Sequence, residues 1–354
     1  MEKIDFAGLN RRMAGLDPEA LEASKKHWDG VAKPLGSLGE FEKLIARIAG
    51  LTGRSQVELD RRAVLVLCAD NGVIAQGVSQ STAEVTSLVA VNLTKMCSAV
   101  CRMALRVGAD VIPVDMGIKE PVCAPGLIQR RIAAGTRDFT QGPAMSREQA
   151  CQAIQTGIDL VRDCKARGYQ ILATGEMGIG NTTTSSAVAS VMLGCDPAEL
   201  TGRGAGLSDE GLERKIGAIR RGIKANRPDR DDPLGVVSAL GGFDIAGMAG
   251  IFLGGALHRV PIVIDGLISA VSALIAAKLC PVCRCCMIPS HASSEPADAL
   301  VFEELGLKPL IYAGMHLGEG TGAVCLFPLL DMALAVYNGL GFDDIGLEPY
   351  RPLS

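Results

Sequence analysis

Short apolar runs alternate along this chain with longer segments in which apolar residues recur every three or four positions. Near-continuous apolar runs are typical of parallel strands buried on both faces. The segments between them, such as residues 83–108 and 146–168, have helical spacing and end near glycine. The alternation predicts an α/β fold with a doubly wound parallel sheet. The six predicted strands are residues 63–70, 110–117, 169–176, 235–242, 260–266 and 286–291.

The two ends of the chain fall outside this alternation and have a mainly helical pattern. No internal repeat, low-complexity tract or long linker interrupts the sequence. One α/β core over residues 61–310 is therefore the simplest organisation. Residues 1–60 and 311–354 are predicted to supply the helical segments of a small second domain.

Composition narrows the classes of partner. Of 354 residues, 48% are hydrophobic and 21% charged, as in globular proteins. The net charge of −4, from 35 basic and 39 acidic residues, gives no electrostatic footprint for nucleic acid or an anionic membrane. No signal-peptide core opens the chain, and no uninterrupted apolar stretch reaches the roughly 20 residues of a membrane span. A cytoplasmic protein with a small-molecule partner is expected.

Twelve cysteines in a long chain without a secretion signal are expected to be reduced. Four of them crowd at metal-like spacing in CPVCRCC, residues 280–286. A metal site normally needs a further ligand cluster or a nearby histidine, and the nearest, His291, belongs to another motif. A metal site and a turn packed with thiols both remain open, and the second is favoured. No metal and no cofactor are predicted.

Polar or glycine-rich clusters follow five of the predicted strands. In open α/β sheets, ligands bind beyond the carboxyl ends of the strands. All five clusters are therefore expected to face one cleft. They are residues 70–72, 175–178, 241–244, 265–266 and 290–291.

Two glycine-rich loops are candidates for binding an anion. In residues 175–187, Gly178 and Gly180 allow close approach of a ligand. A plain strand-to-helix turn, capped by Asn181 or by one of the threonines at 182–184, explains them equally well. Residues 201–215 place three glycines before Lys215, a combination that suits a phosphate. Walker A and dinucleotide signatures are absent. Asp231-Asp232 lies in a polar loop, which argues against a pyrophosphate-sugar transferase and leaves a nucleoside monophosphate plausible.

One carboxylate, Glu319, lies among glycines in MHLGEGTGA, residues 315–323, before a run predicted to be a buried helix. Such loops usually attract anions rather than supply them. The residue is either an acid that starts a helix or a base held in a cleft.

Seven motifs, taken together, resemble the nicotinate-nucleotide:dimethylbenzimidazole phosphoribosyltransferase family. Their order and spacing run through nearly the whole chain, and the ordered set is more specific than any single motif. They are KPLGSLGEFEKL (33–44), ADNGV (69–73), GEMGIGNTT (175–183), GGFDIAGMAG (241–250), IDGLISAVSAL (264–274), PSHASSEP (289–296) and MHLGEGTGA (315–323).

The resemblance implies transfer of the 5-phosphoribosyl group of nicotinate mononucleotide to a benzimidazole-type base. The products would be nicotinate and α-ribazole 5′-phosphate, the nucleotide of the lower ligand in cobalamin-type cofactors. It also implies a Rossmann-like sheet with a small helical domain, in a homodimer. A related transferase acting on a purine or phenolic acceptor, a nucleotide-dependent oxidoreductase and a non-catalytic binder remain alternatives.

The family's residues carry over onto positions of this chain. Glu319 matches the general base and Glu176 a second acid, and two acids in one cleft are expected to raise each other's pKa. The phosphate would rest on Gly202–Gly206 and Lys215. For Asp265 and His291, structural roles as a helix cap and a buried imidazole stay open. The predicted substrate-binding residues are Ser81, Val89, Met177, Gly178, Gly180, Asn181, Gly202, Gly204, Lys215, Asp265, Gly266, Ser290, His291 and Gly320.

The chain departs from the family pattern at two positions. Asn71 stands where better-known members have histidine, and Val89 stands where some have glutamine on the helix lining the base pocket. Loss of an amide donor would make that pocket more apolar. We therefore expect a range of benzimidazoles, and purines as well, to be accepted.

Overall fold

The strand β1, Arg62–Ala69, is buried at every residue and lies inside a six-stranded sheet. The computed structural model describes residues 4–348 and 350, so residues 1–3, 349 and 351–354 of the predicted terminal segments lie outside the described residues. All strand pairs in this sheet are parallel. The strand order is β3-β2-β1-β4-β5-β6, the order of a Rossmann sheet, which confirms the predicted fold class. The remaining strands are β2 Ala109–Gly117, β3 Ile128–Gln129, β4 Ile171–Met177, β5 Ile262–Ile264 and β6 Met287–Pro289.

Helices connect the strands and cover both faces of the sheet. The chain also forms a separate parallel pair, β7 His291–Ser293 with β8 Ile311–Met315. Short 3-10 helices cover Gly72–Gln76, Pro281–Cys286 and Asp343–Ile345. The α-helices are α1 Phe6–Arg12, α2 Pro18–Gly30, α3 Glu40–Thr52, α4 Glu84–Thr94, α5 Ala99–Arg106, α6 Arg147–Ala166, α7 Asn181–Leu193, α8 Pro197–Leu200, α9 Asp209–Asn226, α10 Pro233–Leu240, α11 Phe243–His258, α12 Leu267–Leu279, α13 Ala297–Leu305 and α14 Thr321–Tyr337.

Alternate residues of β1 enter two different apolar layers, because successive side chains of a strand point to opposite faces. Leu65 and Leu67 pack in a layer that includes residues of α6, α10, α11 and α12. Val64 and Val66 pack in the opposite layer, with residues of α2, α3, α5 and α14. Helices α2, α3 and α14 thus cover one face of the sheet, whereas Leu9 of α1 packs in the opposite layer.

The N- and C-terminal helical segments also contact each other, as the sequence pattern led us to expect. The ring of Tyr337 lies 4.2 Å from His27 and 4.8 Å from Trp28, measured between ring centroids. Its hydroxyl donates to the carbonyl of Ser55 at 2.8 Å. The division of the chain at residues 60 and 310 stays a prediction.

The predicted strand at residues 235–242 is wrong, because this run forms helix α10. Its first residue is Pro233, and the Asp232 side chain accepts a hydrogen bond from the Gly235 amide at 3.0 Å, which caps the helix. A continuously buried apolar run has the same pattern in a helix and in a strand. Strands β3, β7 and β8 are short and were not predicted.

Residues 84–106 are long and apolar enough, by length and composition alone, to cross a membrane, with a mean hydropathy of 1.4. This differs from the expectation that the chain holds no such stretch. In the structure the stretch is two helices, α4 and α5, separated by a turn at Met96, whose φ is +56°. Both helices pack against β2.

The thiols of Cys280, Cys283, Cys285 and Cys286 are buried in and beside the 3-10 helix Pro281–Cys286. The Cys286 thiol donates to the carbonyl of Phe252 at 3.1 Å, and burial raises the pKa of Cys280 to about 11. Among the described residues, no three His, Cys, Asp or Glu side chains are placed to hold one metal ion. The arrangement favours thiols that pack as small apolar groups.

Helices α6 and α11 approach each other until their backbones touch. A Cβ on Gly157 would lie 2.0 Å from the carbonyl oxygen of Gly247, and one on Gly250 would lie 2.0 Å from that of Ile154. Both neighbours are backbone atoms, which cannot move away from an added methyl group as the end of a flexible side chain could. The two helices therefore pack closely only because glycine occupies these positions.

We expect Gly157→Ala to lower the free energy of unfolding by about 2 kcal/mol or more, because the added methyl forces the helices apart. Urea unfolding followed by circular dichroism measures this. Gly217→Ala on α9 is the matched control, since its Cβ meets only the Arg221 guanidinium at 3.4 Å. The control should be neutral or stabilising by up to about 1 kcal/mol. Equal effects of the two substitutions would contradict the packing argument.

Candidate active site

A cleft opens beyond the carboxyl ends of the central strands, where β1 and β4 lie side by side. Its empty volume, including the part open to solvent, is about 1130 Å³. The walls come from the turns after β4 and β5, from β7, from the loop before α14 and from two further segments, residues 78–80 and 203–207. Between β1 and β4 the order of strands reverses, which is where open α/β sheets bind ligands.

The structure brings most of the predicted site residues to this cleft. Ser81 and Val89 do not line it: the Ser81 amide donates to Ser79 Oγ in a local turn, and Val89 packs against the layer that contains α14. Their role as substrate contacts remains a prediction. The predicted residues that line the cleft are Glu176, Met177, Gly178, Gly180, Asn181, Gly204, Asp265, Gly266, His291 and Glu319; Gly202, Lys215, Ser290 and Gly320 lie behind its wall.

Two of the five polar clusters also lie behind the wall rather than in it. Asp70, at the end of β1, accepts a hydrogen bond from the Lys119 amide at 2.7 Å. The 241–244 cluster follows helix α10 and reaches the site through Asp244. The expectation that all five clusters face the cleft is therefore corrected.

The Glu319 carboxylate is set by unusual backbone. Glu319 has a φ of +59° between Gly318 and Gly320, which have φ values of +88° and +93°. The loop lies directly on β4, since a Cβ on Gly175 would be 2.4 Å from the carbonyl oxygen of Glu319. Three consecutive left-handed residues are costly for any side chain other than glycine. The position of this acid is thus imposed by the fold.

One oxygen of Glu319 is anchored and the other is not. Oε2 accepts a hydrogen bond from the Val100 amide at 3.0 Å, in the first turn of α5. Among the described residues, Oε1 has no hydrogen-bond partner, and Glu319 lines the cleft. Glu319 therefore caps the first turn of a helix, but that helix is α5 and not α14, which follows Glu319 in the chain.

The Glu176 carboxylate belongs to a buried network. The Asn181 amide nitrogen donates to Glu176 Oε2 and also to Asp244 Oδ2, the latter at 3.0 Å. Asp244 Oδ1 accepts from the Ile245 amide at 3.0 Å. Asn71 lies near Asp244, since a Cβ on Gly242 would be 2.5 Å from Asn71 Oδ1 and 2.3 Å from Asp244 Oδ1. Asn71, one of the two residues that depart from the family pattern, is therefore next to this network.

Two buried carboxylates share one neutral amide here, and no ion pair to either is found within the part of the chain that the structure describes. Burial raises the pKa of Glu176 to about 8, and the charges of Asp244, Asp265 and Glu319 act in the same direction. Burial also raises the pKa of Asp244 to about 6. At neutral pH, Glu176 therefore holds a proton while Asp244 is largely ionised.

Asp265 and His291 hold the first turn of α14. Asp265 Oδ1 accepts from the Ala323 amide at 2.9 Å, and a Cβ on Gly322 would lie 1.9 Å from His291 Nδ1. The Ser290 hydroxyl donates to the carbonyl of Ile264 at 2.6 Å, so toward His291 Nδ1 it acts as the acceptor. Burial raises the pKa of Asp265. Asp265 caps α14 rather than the following helix, α12, which among the described residues has no side-chain cap. His291 is a buried imidazole bonded to Ser290, and Asp265 and His291 both line the cleft.

Lys215 is fully buried behind the second glycine loop. Its ammonium group donates to Thr182 Oγ1 and to the carbonyl of Gly202, each at 2.9 Å. Burial lowers the pKa of Lys215 to about 8. Glu295, a residue absent from the predicted site, accepts a hydrogen bond from the Gly204 amide at 3.0 Å. The loop predicted to hold a phosphate thus holds a carboxylate of the chain itself.

A family model described as "Phosphoribosyltransferase" matches residues 13–346, which include every residue of the cleft. The chain belongs to this phosphoribosyltransferase family.

Curated relatives match over nearly their full length, and each is named nicotinate-nucleotide--dimethylbenzimidazole phosphoribosyltransferase. The protein of Acetivibrio thermocellus is 44% identical over 94% of this chain and 95% of its own. That of Clostridium acetobutylicum is 41% identical over 99% of this chain and 100% of its own. The crystal structure of CobT from Thermus thermophilus has a TM-score of 0.89 and 38% identity, and the match covers 94% of this chain and 99% of that one. The resemblance read from the motifs is confirmed.

For this phosphoribosyltransferase the cleft offers two acids of different character. Glu319 presents an unpaired oxygen, whereas Glu176 holds a proton on a buried carboxyl. Asp244 and Glu295 were missed in the predicted site, although both stand inside motifs that carry the resemblance. A cue was available for Asp244, which lies two residues after Gly241-Gly242 in one of the five polar clusters, but none for the place of Glu295.

The protonated state of Glu176 predicts a pH dependence of stability. Its pKa is raised from 4.5 to about 8 by folding, so unfolding releases a proton between these values. The contribution of Glu176 is therefore present at low pH and is lost as the pH rises from about 5 to 8. Between these pH values, the free energy of unfolding of the wild type should fall relative to that of Glu176→Gln by up to about 1.4 kcal/mol per pH unit.

Urea unfolding of both proteins at pH 5, 6, 7 and 8 measures the difference. Asp244→Asn is the comparison variant. Because the pKa of Asp244 is raised from 3.8 to about 6, the difference in free energy of unfolding between wild type and Asp244→Asn should stop changing above about pH 6. Parallel curves for the wild type and Glu176→Gln would rule out the buried proton.

Proposed function

We propose that this protein transfers the 5-phosphoribosyl group of nicotinate mononucleotide to a benzimidazole-type base, giving nicotinate and α-ribazole 5′-phosphate for the lower ligand of cobalamin-type cofactors. The shared name and near-complete coverage of its relatives support this reaction. The observation that carries the proposal is the placement of Glu319 and Glu176 in one cleft, with one oxygen of Glu319 free to accept a proton.

Glu319 acts as the general base in this proposal. One nitrogen of the base attacks C1′ of the ribose as nicotinate leaves, and the other nitrogen must lose its proton. The Val100 amide fixes the Glu319 carboxylate and leaves Oε1 to accept that proton. Attack from the face opposite nicotinate inverts the configuration at C1′.

Glu176 stabilises the positive charge of the reacting nucleotide. The pyridinium ring of nicotinate mononucleotide is cationic, and a cation next to a buried carboxyl favours its ionised form. As nicotinate leaves, positive charge moves onto the ribose, where an ionised Glu176 stabilises it. Asn181 keeps the carboxylate in place, because its amide is held by Asp244 as well.

The remaining assignments follow the shape of the cleft. The phosphate is assigned to the Gly202–Gly206 loop with Lys215, and the nicotinate or ribose portion to Gly178–Asn181. Apolar side chains of Met177, Ile179 and Leu317 line the same cleft and offer a surface for a flat base. No nucleic acid or membrane partner is needed for this reaction.

A homodimer in the cytoplasm is also proposed. The net charge of −4 gives no electrostatic attraction to an anionic membrane. Apolar side chains of Leu88, Leu105 and Met332 are exposed, as expected of a surface that a second subunit covers.

Glu319→Gln should retain binding of both substrates and lower kcat by roughly 10²- to 10⁴-fold, because the proton acceptor is lost while the Val100 amide can still be capped. The assay follows release of nicotinate from nicotinate mononucleotide in the presence of dimethylbenzimidazole. Glu303→Gln, the same change at an exposed position of α13, should leave the rate within a few-fold of wild type. A near-normal rate for Glu319→Gln would exclude it as the base.

A competition among dimethylbenzimidazole, benzimidazole, adenine and phenol tests the expected breadth of acceptors. Products are separated by chromatography after partial conversion of limiting nicotinate mononucleotide. We expect several benzimidazoles, and adenine more slowly, to yield riboside 5′-phosphates. One strongly preferred base would contradict this expectation, and a phenolic product would favour the alternative acceptor class.

A further inference from the structure

The carboxylate of Glu295 rests on the backbone of the second glycine loop. Its Oε1 accepts the Gly204 amide hydrogen at 3.0 Å. A Cβ on Gly202 would lie 2.1 Å from its Oε2, so only glycine leaves room for the carboxylate. Gly204 and Gly206 have φ values of +54° and +95°, backbone that favours glycine. The loop is shaped around an anion, and that anion is Glu295.

The carboxylate is incompletely satisfied where it lies. Oε2 is buried and has no hydrogen-bond partner among the described residues. The charge of Glu295 acts on the buried cation Lys215, but the two hydrogen bonds of the Lys215 ammonium group go to Thr182 and to Gly202. Arg203 pairs with Asp209 instead. A buried acceptor without a partner costs free energy, so Glu295 holds the loop weakly.

Glu295 also has a route out of the loop. It lies in the turn between β7 and α13, and its neighbours Ser294 and Pro296 are both exposed. The side chain can therefore turn toward solvent without disturbing the core. A phosphate has more oxygens and more charge than a carboxylate, and it can accept from the loop amides and from Lys215 together.

We propose that Glu295 is an internal anion that occupies the phosphate position of the Gly202–Gly206 loop in the free protein and leaves when the 5′-phosphate of the substrate binds. The inference rests on the proposed function. Two anions cannot share one amide donor at 3 Å, so the phosphate must displace the carboxylate. Glu295 then sets the affinity for phosphorylated substrate and keeps weaker anions, such as cellular carboxylates, out of the loop.

Calorimetric titration with inorganic phosphate tests the proposal without requiring turnover. Glu295→Gln keeps the size of the side chain and removes its charge, and Glu295→Ala empties the loop. Both variants should bind phosphate and nicotinate mononucleotide about 5- to 50-fold more tightly than wild type, by the release of one competing charged hydrogen bond. Nicotinate riboside, which lacks the phosphate, should bind all three proteins equally.

Glu303→Gln controls for the change in net charge and should bind phosphate as the wild type does. Unchanged or weaker phosphate binding by both Glu295 variants would overturn the proposal. Glu295 would then be a structural residue that stays bound to the loop. If the variants do not fold, hydrogen exchange of the wild type decides: saturating phosphate should speed exchange at residues 293–296, and unchanged exchange would overturn it. Loss of the proposed reaction is distinguishable, because it appears as absent nicotinate release by the wild type.

Discussion

The parallel pairing of β1 with β4 is the constraint on which the site depends. The chain reaches these neighbours by crossovers on opposite sides of the sheet, so the helices that follow them diverge and leave a cleft between. The register, from Arg62 opposite Ile171 to Cys68 opposite Met177, places Glu176 one residue before the carboxyl end of β4. Glycine at position 175 then admits the loop that carries Glu319. Both acids of the site are therefore located by one strand.

Negative charge is concentrated beyond this strand, and within the part of the chain that the structure describes no ion pair balances Glu176, Asp244, Asp265 or Glu319. A folded protein tolerates such a cluster only if some members are protonated or hydrogen-bonded. Here Asn181 bridges two carboxylates, and α5 and α14 offer their first-turn amides to Glu319 and Asp265. The resulting site is poised for a substrate that brings its own positive charge, as a pyridinium nucleotide does.

The sequence was sufficient for the parts of the fold that depend on local pattern. Continuous apolar runs identified β1, β2 and β4, and the glycines around Glu176 and Glu319 marked the loops that meet at the cleft. It failed at residues 235–242, where burial on all sides hides the difference between helix and strand. Other features depend on contacts between residues that are distant in the chain. Val100 holds Glu319, Glu295 binds the glycine loop, and Val89 packs away from the cleft. Spacing carries no information about such contacts.

The anchor of Glu319 on α5 has a mechanical consequence. Helix α5 follows α4 after only a short turn, and the two pack on the same strand, β2. A side chain in α4 that shifts this helix pair also shifts the Val100 amide, and with it the Glu319 carboxylate, the proposed proton acceptor. Val89 lies in α4. A substitution in α4 can therefore change the rate of proton transfer without contacting the base that accepts the phosphoribosyl group. Evolution can tune the reaction through helices that lie outside the cleft.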